Sequence, residues 1–390
     1  MTSRVRSAFP MIESRHYTPE HEIFRESVRR FINRECMPHR EAWQEQCMVS
    51  RDIWRKAGEL GMLCTKVDVA YGGGGGDLFH CLIVLEEQTR AGFGELAFYL
   101  HSDIIAPYIE LYGTEEQRQR YLPKLASGEM ITAIAMTEPG AGSDLQNIST
   151  NARRDGNGYL LNGRKTFISN AQLADLIVVA AKTDPAGAAK GMSLFLLETK
   201  DADGFALGRN LRKVGCKAQD TSELFFDDVR LPADALLGGV EGQGFYQLME
   251  RLPEERLIMA MSAVANMESA LDETIVHAKE REMFGQRLID FQNTRFTLAE
   301  CKTMTTVARA YLEHSIDQFV EGQFDARDGA MAKWWTTDKC CEVIDECLQL
   351  FGGYGYIRET PIARRYADAR LGRIAGGTNE IMKDLIGRSL

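Results

Sequence analysis

A block of short, β-rich runs in the middle of the chain constrains its fold more than any other feature. Five runs of strand length are separated by Gly, Asp and Asn: Met130–Met136, Gly158–Ser169, Leu176–Lys182, Met192–Glu198 and Glu223–Val229. No helical pattern of convincing length lies between them, so the crossover helices of a βαβ sheet are not indicated. The pattern therefore favours a small antiparallel β-barrel or sandwich.

Helical periodicity flanks this block on both sides. Before it, apolar residues recur at helical spacing from Thr18 to Ser127, and Thr18–Pro19 is typical of an N-cap followed by proline in the first turn. After it, long helices are predicted, with another after Gly377: Leu257–Glu282, Gln292–Glu321 and Ala326–Phe351. The apolar stripe of the second, which includes Phe296 and Val307, is expected to be core.

These patterns predict an α+β protein of three domains. The N-terminal domain, residues 1–129, is α-helical, the middle domain, residues 130–243, is the β-barrel or sandwich, and the C-terminal domain, residues 244–390, is a four-helix bundle. The run Tyr71–Gly76 (YGGGGG) within the first domain is interpreted as a flexible inter-helix loop, because no GK[ST] follows it.

Composition excludes several classes of function. With 46 basic against 56 acidic residues, the formal net charge of −10 and the pI near 5.4 disfavour binding to a nucleic-acid backbone. The nine cysteines contain no CxxC pair, so neither a metal site nor a disulfide framework is predicted. No apolar run approaches the ~20 residues of a transmembrane helix, and residues 1–12 lack the apolar core of a secretory signal. We expect a cytoplasmic protein without integral membrane association; a mitochondrial matrix location stays open.

Four segments carry residues that packing alone does not require: Ala135–Asp144 (AMTEPGAGSD), Gly163–Asn170 (GRKTFISN), Arg281–Gln292 (REMFGQRLIDFQ) and Gln349–Tyr356 (QLFGGYGY). The first combines hydroxyls, glycines and successive amides that suit a planar, phosphate-bearing ligand, although a tight β-turn explains it equally well. The second places Phe167 and Ser169 on one strand face, unless Phe167 is core. The third suits diphosphate and ribose contacts, and the fourth is also typical of a helix C-cap.

In this order and spacing, the segments resemble the acyl-CoA dehydrogenase family of flavoproteins over nearly the whole chain. The resemblance is carried by TEPGAGSD, RxxFG…FQ, QLFGGYGYIRE and GGTNEI. It implies an α-helical domain, a β domain and an α-helical bundle, with FAD as cofactor, a homotetramer, and electron-transferring flavoprotein as oxidant. The implied reaction removes an α-proton and a β-hydride from an acyl thioester and gives a trans-2-enoyl-CoA.

The resemblance also assigns cofactor contacts residue by residue. It implies that the flavin ring lies against Met136–Thr137 and Phe167–Ser169, including Ile168, with hydrogen bonds from Thr137 and Ser169. Ser143 would lie where both flavin and acyl-CoA are approached. A neighbouring subunit would contact the adenosine diphosphate part through Arg281, Phe284, Gln292, Gln349, Gly352 and Gly353. Thr378 and Glu380 would complete the cofactor site.

The catalytic base departs from the family's commonest pattern. Most members use the glutamate of an EGT sequence, and Gly376 stands there in this chain. A minority, including isovaleryl-CoA and long-chain enzymes, place the base on a helix before an arginine, which matches Glu255–Arg256. Glu254 and Glu250 are the competing carboxylates, and a solvated helix face is the alternative for each. Because adjacent helical residues point about 100° apart, Glu254 and Glu255 are not expected to face one cavity.

Pro253 is expected at the N-terminus of the helix that carries this base. The resemblance implies that Arg256 and Gly376–Gly377 contact the acyl-CoA, the Gly376 amide as donor to the thioester oxygen. Tyr246, Lys190–Gly191 and Ser143 resemble further substrate contacts. Because Gly376 has no side chain, we expect a medium or long, or methyl-branched, acyl chain. Two alternatives remain on the same fold, which are a flavin monooxygenase or oxidase and a non-catalytic acyl-CoA-binding protein.

Overall fold

The computed structural model describes residues 14–390, and these fall into two compact units. One unit contains His21–Glu87 and Phe93–Arg251; the other contains residues 14–20, Gln88–Gly92 and Leu252–Leu390. The expectation about a secretory signal in residues 1–12 lies outside the described residues. No helix within residues 14–390 combines the length and the apolar character that a membrane-spanning segment needs.

The first third of the chain is helical, as predicted. The α-helices are α1 (Pro19–Phe31), α2 (Arg40–Gln46), α3 (Arg51–Glu59), α4 (Leu78–Arg90), α5 (Ala106–Tyr112) and α6 (Glu115–Ala126). Two π-helical stretches, Ile32–Cys36 and Leu100–Ile105, adjoin α1 and α5. Proline at the first position of α1 has no amide to leave unsatisfied. A capping box between Thr114 and Gln117 begins α6.

The glycine run before α4 is an ordered loop, which corrects its interpretation as flexible. Amides of Gly74, Gly75 and Gly76 donate to backbone carbonyls of residues 64–67 at 3.2, 2.9 and 2.8 Å. A Cβ added to Gly74 would lie 2.7 Å from the carbonyl oxygen of Thr65, so a side chain would block this approach. The glycines are needed for close backbone packing.

The middle of the chain forms one seven-stranded sheet. Its strands are β1 (Thr132–Ala135), β2 (Asn151–Asp155), β3 (Gly158–Ser169), β4 (Leu176–Lys182), β5 (Met192–Glu198), β6 (Phe205–Asn210) and β7 (Thr221–Leu231). The order is β1-β4-β2-β3-β7-β6, with β5 paired to β4. Three strands have the predicted bounds, but β2 and β6 were not predicted. Most strand pairs are antiparallel, as expected, but β4 pairs in parallel with β1 and β2.

The helices after the sheet form the predicted bundle with different boundaries. They are α7 (Gly244–Glu280), α8 (Gln292–Val320), α9 (Ala326–Leu350), α10 (Pro361–Ala369) and α11 (Asn379–Gly387), with a hairpin of β8 (Glu282–Met283) and β9 (Gln286–Arg287). Because α7 begins at Gly244, Pro253 lies inside the helix and not at its N-terminus, which corrects that expectation. Phe296 and Val307 on α8 are 58% and 49% exposed, so the expectation that they are core is also wrong.

Candidate active site

A buried ion pair holds the turn that follows β1. Lys165 on β3 donates to the carbonyl of Met136 and to Glu138, each at 2.9 Å. Glu138 also accepts from both amides of Ser149–Thr150. Burial alone would raise the pKa of Glu138, but the Lys165 charge and these hydrogen bonds outweigh it and lower the pKa to about 2. The turn is therefore fixed against β3.

This pairing brings Met136–Thr137 beside the segment Phe167–Ser169. The Thr166 amide donates to the Thr137 carbonyl at 2.9 Å, one residue before Phe167. The register between β3 and β7 shifts between Lys165 and Ile168, and Phe167 has φ +60° with its side chain 67% exposed. Phe167 is therefore not core, and the bulge replaces the regular alternation that placed it on one face with Ser169.

The hydroxyls of Thr137 and Ser169 are half-buried beside this bulge. Neither has a hydrogen-bond partner within residues 14–390. Ile168, in contrast, packs its side chain into the sheet core. The expected cofactor contact of Ile168 would therefore involve its backbone.

Ser143, Lys190 and Tyr246 are expected to contact the substrate, and all three lie in the unit that contains the sheet. The turn Leu145–Asn147, which follows Ser143, lies against the turn Ala188–Gly191. A Cβ added to Gly242 would lie 2.5 Å from the carbonyl oxygen of Lys190, so the residues leading into α7 pass close to that turn. Tyr246, in the first turn of α7, and Lys190 are exposed.

The three candidate carboxylates on α7 have different surroundings. Glu250 is exposed and accepts a hydrogen bond from the hydroxyl of Tyr112 at 2.9 Å. Glu254 and Glu255 are both buried, with 4% and 6% of their surface exposed. A solvated helix face is therefore wrong for both of these residues. Burial alone does not discriminate between them.

The helix face does discriminate, because Glu255 shares its side of α7 with Met259. Residues four apart in a helix lie one above the other, whereas Glu254 points about 100° away from Glu255. A Cβ added to Gly376 would lie 2.6 Å from the sulfur of Met259, and Gly376 has φ +64°. The face of α7 that carries Glu255 thus continues, one turn later, into contact with Gly376.

A buried lysine holds the turn that contains Gly376 and Gly377. Lys333 on α9 is fully buried and donates to the carbonyl of Gly377 at 2.6 Å and to the Asn379 side chain at 2.9 Å. Asn379 in turn donates to the side chain of Asp338 on α9 at 3.0 Å. The turn is thus tied to α9 on both sides of Thr378.

Arg256 is a second buried cation at this turn. Its Nη2 lies 4.0 Å from the position of a Cβ on Gly377, and its buried Nε has no hydrogen-bond partner in the described part of the chain. Burial lowers the pKa of Arg256, and the charge of Glu255 partly offsets this. Burial, and then the Arg256 charge, lower the pKa of Lys333 to about 8. The Gly376–Gly377 turn therefore lies in a positive, low-dielectric environment.

The residues expected at the adenosine diphosphate part gather at one end of the bundle. The rings of His277 on α7 and Phe351 stack with centroids 4.1 Å apart, which brings the last turn of α7 to the end of α9. Arg281 lies four residues after His277, and Gln349 two residues before Phe351. The expected contacts here are all exposed: Arg281, Phe284, Gln292, Gln349, Gly352 and Gly353. Thr378 caps α11 by accepting from the Ile381 amide at 3.4 Å, and Glu380 is exposed in the first turn.

Sequence reasoning missed four residues that organise these sites: Lys165, Met259, His277 and Lys333. Met259 carries a usable signal, because it follows Glu255 by one helical turn. The others have no local signal, since their partners are distant in sequence.

The fold and the site geometry define a class of enzyme, and comparison with known proteins agrees. Family models for the N-terminal, middle and C-terminal domains of acyl-CoA dehydrogenase match residues 18–129, 133–229 and 242–390. The chain belongs to the acyl-CoA dehydrogenase family, so it is a flavoprotein oxidoreductase by class. The predicted fold class and enzyme class are thereby confirmed.

Individual relatives cover almost the whole chain. The mitochondrial long-chain specific acyl-CoA dehydrogenase of Sus scrofa is 47% identical over 378 residues, 96% of this chain and 87% of the relative. An acyl-CoA dehydrogenase structure from Geobacillus kaustophilus is also 47% identical, with a TM-score of 0.94, covering 97% of this chain and 99% of that one. A Mycobacterium smegmatis glutaryl-CoA dehydrogenase in complex with FADH2 is 28% identical, with a TM-score of 0.88 and coverage of 96% and 95%.

The residues of this chain fit a flavin nucleotide. The hydroxyls of Thr137 and Ser169 have no hydrogen-bond partner within residues 14–390. The ring of Phe167, two residues before Ser169, is exposed. A Cβ added to Gly140 or Gly142 would meet nothing within 4 Å, so the turn leaves open space beside these groups. These features leave polar atoms and a ring face available to a planar ligand.

Proposed function

We propose that this protein catalyses the FAD-dependent α,β-dehydrogenation of an acyl-CoA thioester to trans-2-enoyl-CoA, with Glu255 as the base. The observation that carries the proposal is the burial of Glu255 on the α7 face that reaches Gly376 through Met259. A base for carbon acids needs a carboxylate that is shielded from water and held near the thioester. Glu250 lacks this burial, and Glu254 lacks the shared face.

In this proposal Glu255 takes the α-proton of the acyl chain as the β-hydrogen leaves with its electron pair. The cofactor, when bound, supplies the hydride acceptor. The product has a new carbon–carbon double bond, and Glu255 holds the proton until it is released to solvent. Thr137, Ser169 and the Phe167 segment are assigned to hold the flavin ring, and Ser143 to lie where flavin and acyl-CoA are both approached.

Negative charge develops on the thioester oxygen as the α-proton leaves. The amide of Gly376 is assigned as a hydrogen-bond donor to this oxygen, and the buried cations Arg256 and Lys333 surround the next residue, Gly377. Fixed donors and charges in a site that excludes water stabilise such a charge more than they would in water. Lys333 is a positioning residue here, because it acts through the Gly377 carbonyl.

The remaining assignments concern assembly and electron transfer. The exposed set at the end of the bundle, from Arg281 to Gly353, suits contacts with the adenosine diphosphate of a neighbouring subunit, which supports a homotetramer. We propose electron-transferring flavoprotein as the acceptor of the electrons and the cytoplasm as the location. Neither follows from geometry; both rest on the family and the sequence.

The proposed substrate is a medium or long, or methyl-branched, acyl-CoA. Gly376 offers no side chain near the α-carbon, and the Sus scrofa relative is named for long-chain substrates. Tyr246 and Lys190–Gly191 are assigned to the acyl-CoA, with the exposed Lys190 near a CoA phosphate. Gly377 completes the thioester contact.

An anaerobic titration with acyl-CoAs of graded length and branching tests this function. We expect stoichiometric bleaching of the flavin absorbance by medium, long or methyl-branched chains, formation of the enoyl-CoA, and reoxidation by electron-transferring flavoprotein. A sharp optimum at four carbons would contradict the substrate proposal. If no acyl-CoA bleaches the flavin and the dithionite-reduced protein reacts rapidly with air, the oxygen-using alternative replaces dehydrogenation.

Lys333→Met tests the positioning role of the buried lysine. Methionine keeps the volume but loses the hydrogen bond to Gly377, so we expect kcat to fall about 10-fold or more with KM little changed. Because the pKa of Lys333 is lowered to about 8 and its charged form is the active one, wild-type kcat should fall as pH rises through this range. That limb should be absent from the variant.

The matched control is Lys339→Met on the same helix, where Lys339 pairs with Glu342 at 2.5 Å. It should keep both the rate and the pH limb of the wild type. An unchanged pH profile in Lys333→Met would show that Lys333 serves the fold alone.

A further inference from the structure

Two histidines and an aspartate converge at the start of α4, and none of them is assigned to the reaction. The Nε2 of His21 lies 3.1 Å and the Nδ1 of His80 lies 2.8 Å from the same oxygen, Oδ1 of Asp77. The three ligand atoms all lie within 4.8 Å of one another. His21 is 5% exposed, whereas His80 is half-buried and Asp77 faces solvent.

The Oδ1 of Asp77 has more neighbours than hydrogen bonding alone can satisfy. It also accepts from the amides of Phe79 and His80, at 3.0 and 3.3 Å, as the N-cap of α4. Four nitrogens therefore surround one carboxylate oxygen, which offers about two lone-pair positions. A single cation shared by the two rings and the carboxylate would replace two of these four contacts.

We propose that His21, Asp77 and His80 bind a divalent transition-metal ion, with Zn²⁺ as the representative. Imidazole and carboxylate are the donors that such ions take, at about 2.0–2.2 Å. A tetrahedral ion at those distances holds its ligand atoms about 3.3 Å apart. The separations of 2.8 and 3.1 Å at Asp77 are within a few tenths of this value. The exposed side of Asp77 leaves solvent to complete the coordination.

Gly76 and Phe24 pack around the proposed metal site, which consists of His21, Asp77 and His80. A Cβ added to Gly76 would lie 2.9 Å from the Nδ1 of His80, so glycine leaves room beside this nitrogen. The same nitrogen accepts a hydrogen bond from the Asp77 amide at 3.3 Å, which a bound ion would replace. The His21 and His80 rings meet edge to face at 4.5 Å, and Phe24 packs against His80 at 5.3 Å. The ordered glycine run thus ends where the ligands converge. The ion would link α1 to the N-terminus of α4, so its role is stabilising.

Zinc binding to the full-length, FAD-loaded protein tests the proposal. Equilibrium dialysis with Zn²⁺ and elemental analysis should give one tightly bound equivalent, and saturating Zn²⁺ should raise the unfolding temperature by about 3 °C or more. Asp77→Asn keeps a capping side chain on α4 but removes the carboxylate, and His80→Gln removes a ring. Each should weaken zinc binding at least about 10-fold. His39→Gln, on an exposed histidine outside the site, should bind as the wild type does.

Two results would overturn the proposal. One is the absence of a stoichiometric zinc equivalent in the wild type. The other is zinc binding of equal affinity in Asp77→Asn and His80→Gln, which would assign the ion to thiols elsewhere among the nine cysteines. Because Asp77→Asn retains the cap, a folded variant is available for this comparison. Neither result would alter the proposed dehydrogenation, since the site shares no residue with it.

Discussion

Replacement of Glu255 by glutamine is expected to slow flavin reduction by acyl-CoA by about 10²–10⁴-fold, the usual contribution of a general base. Glutamine keeps the size and polarity of the side chain but cannot take a proton. FAD content and acyl-CoA binding should persist, because the amide fills the same buried space on α7. Stopped-flow measurement of flavin bleaching under anaerobic conditions, with substrate above saturation, gives the rate directly.

Glu254→Gln is the matched control for this experiment. Glu254 is equally buried and adjacent in sequence, and it differs from Glu255 in the helix face it occupies. It should retain most of the wild-type rate, as should Glu250→Gln, whose carboxylate is exposed. If Glu254→Gln loses the rate and Glu255→Gln keeps it, the base is Glu254. Loss in both would mean that the charge of the pair, and not one proton acceptor, controls the step.

The sequence predicted the sheet well where strands are bounded by turn-forming residues. The bounds of β3, β4 and β5 agree with the prediction because Gly, Asp or Asn punctuates each of them. The strand β2 (Asn151–Asp155) is polar and β6 (Phe205–Asn210) is largely exposed, so neither carries that signal. Parallel pairing of β1 with β4 depends on long-range contacts, which composition does not report.

Two predictions about the bundle were wrong: the start of α7 near Pro253 and the burial of Phe296 and Val307. Pro253 is typical of a first helical turn, yet α7 continues through it for nine residues on its N-terminal side, from Gly244 to Leu252. Phe296 and Val307 follow helical spacing but lie on an exposed face of α8. Periodicity identifies an apolar face and does not say whether this chain or another covers it.

The candidate site was predicted in its segments but not in the groups that hold them. Thr137, Phe167 and Glu255 were found because each lies in a short segment whose residue types indicate its role. Lys165 lies within the GRKTFISN segment and Lys333 in an ordinary helical stretch, but the role of each arises only when the fold places Glu138 and Gly377 beside them. Buried cations of this kind are found from three-dimensional neighbours, not from spacing.

Gly376→Ala is expected to destabilise the protein by about 2–5 kcal/mol, from two separate causes. A non-glycine residue at positive φ costs about 1–2 kcal/mol, and Gly376 has φ +64°. Overpacking costs about 1–3 kcal/mol, and the new Cβ would lie 2.6 Å from Met259 Sδ. Denaturant unfolding of FAD-saturated protein measures the total.

Two companion variants separate these causes. Gly322→Ala has a similar φ of +71° but nothing within 4 Å of its Cβ, so it should show the backbone cost alone. Met259→Ala in the Gly376→Ala background should recover the packing cost, giving a coupling of about 1 kcal/mol or more in a double-mutant cycle. Equal losses for Gly376→Ala and Gly322→Ala, with no coupling to Met259, would mean that the sulfur moves aside freely.

The contact between Met259 and Gly376 connects position 376 with the face of α7 that carries Glu255, the proposed base. A side chain at position 376 would place its Cβ 2.6 Å from the Met259 sulfur, on a backbone with φ +64° that disfavours any side chain. The same methionine follows Glu255 by one turn and packs the face on which that carboxylate is buried. Met259 therefore lies one helical turn from Glu255 and also restricts the space for a side chain at position 376. The coupling energy between Met259 and Gly376 measures how strongly this packing disfavours a side chain at position 376.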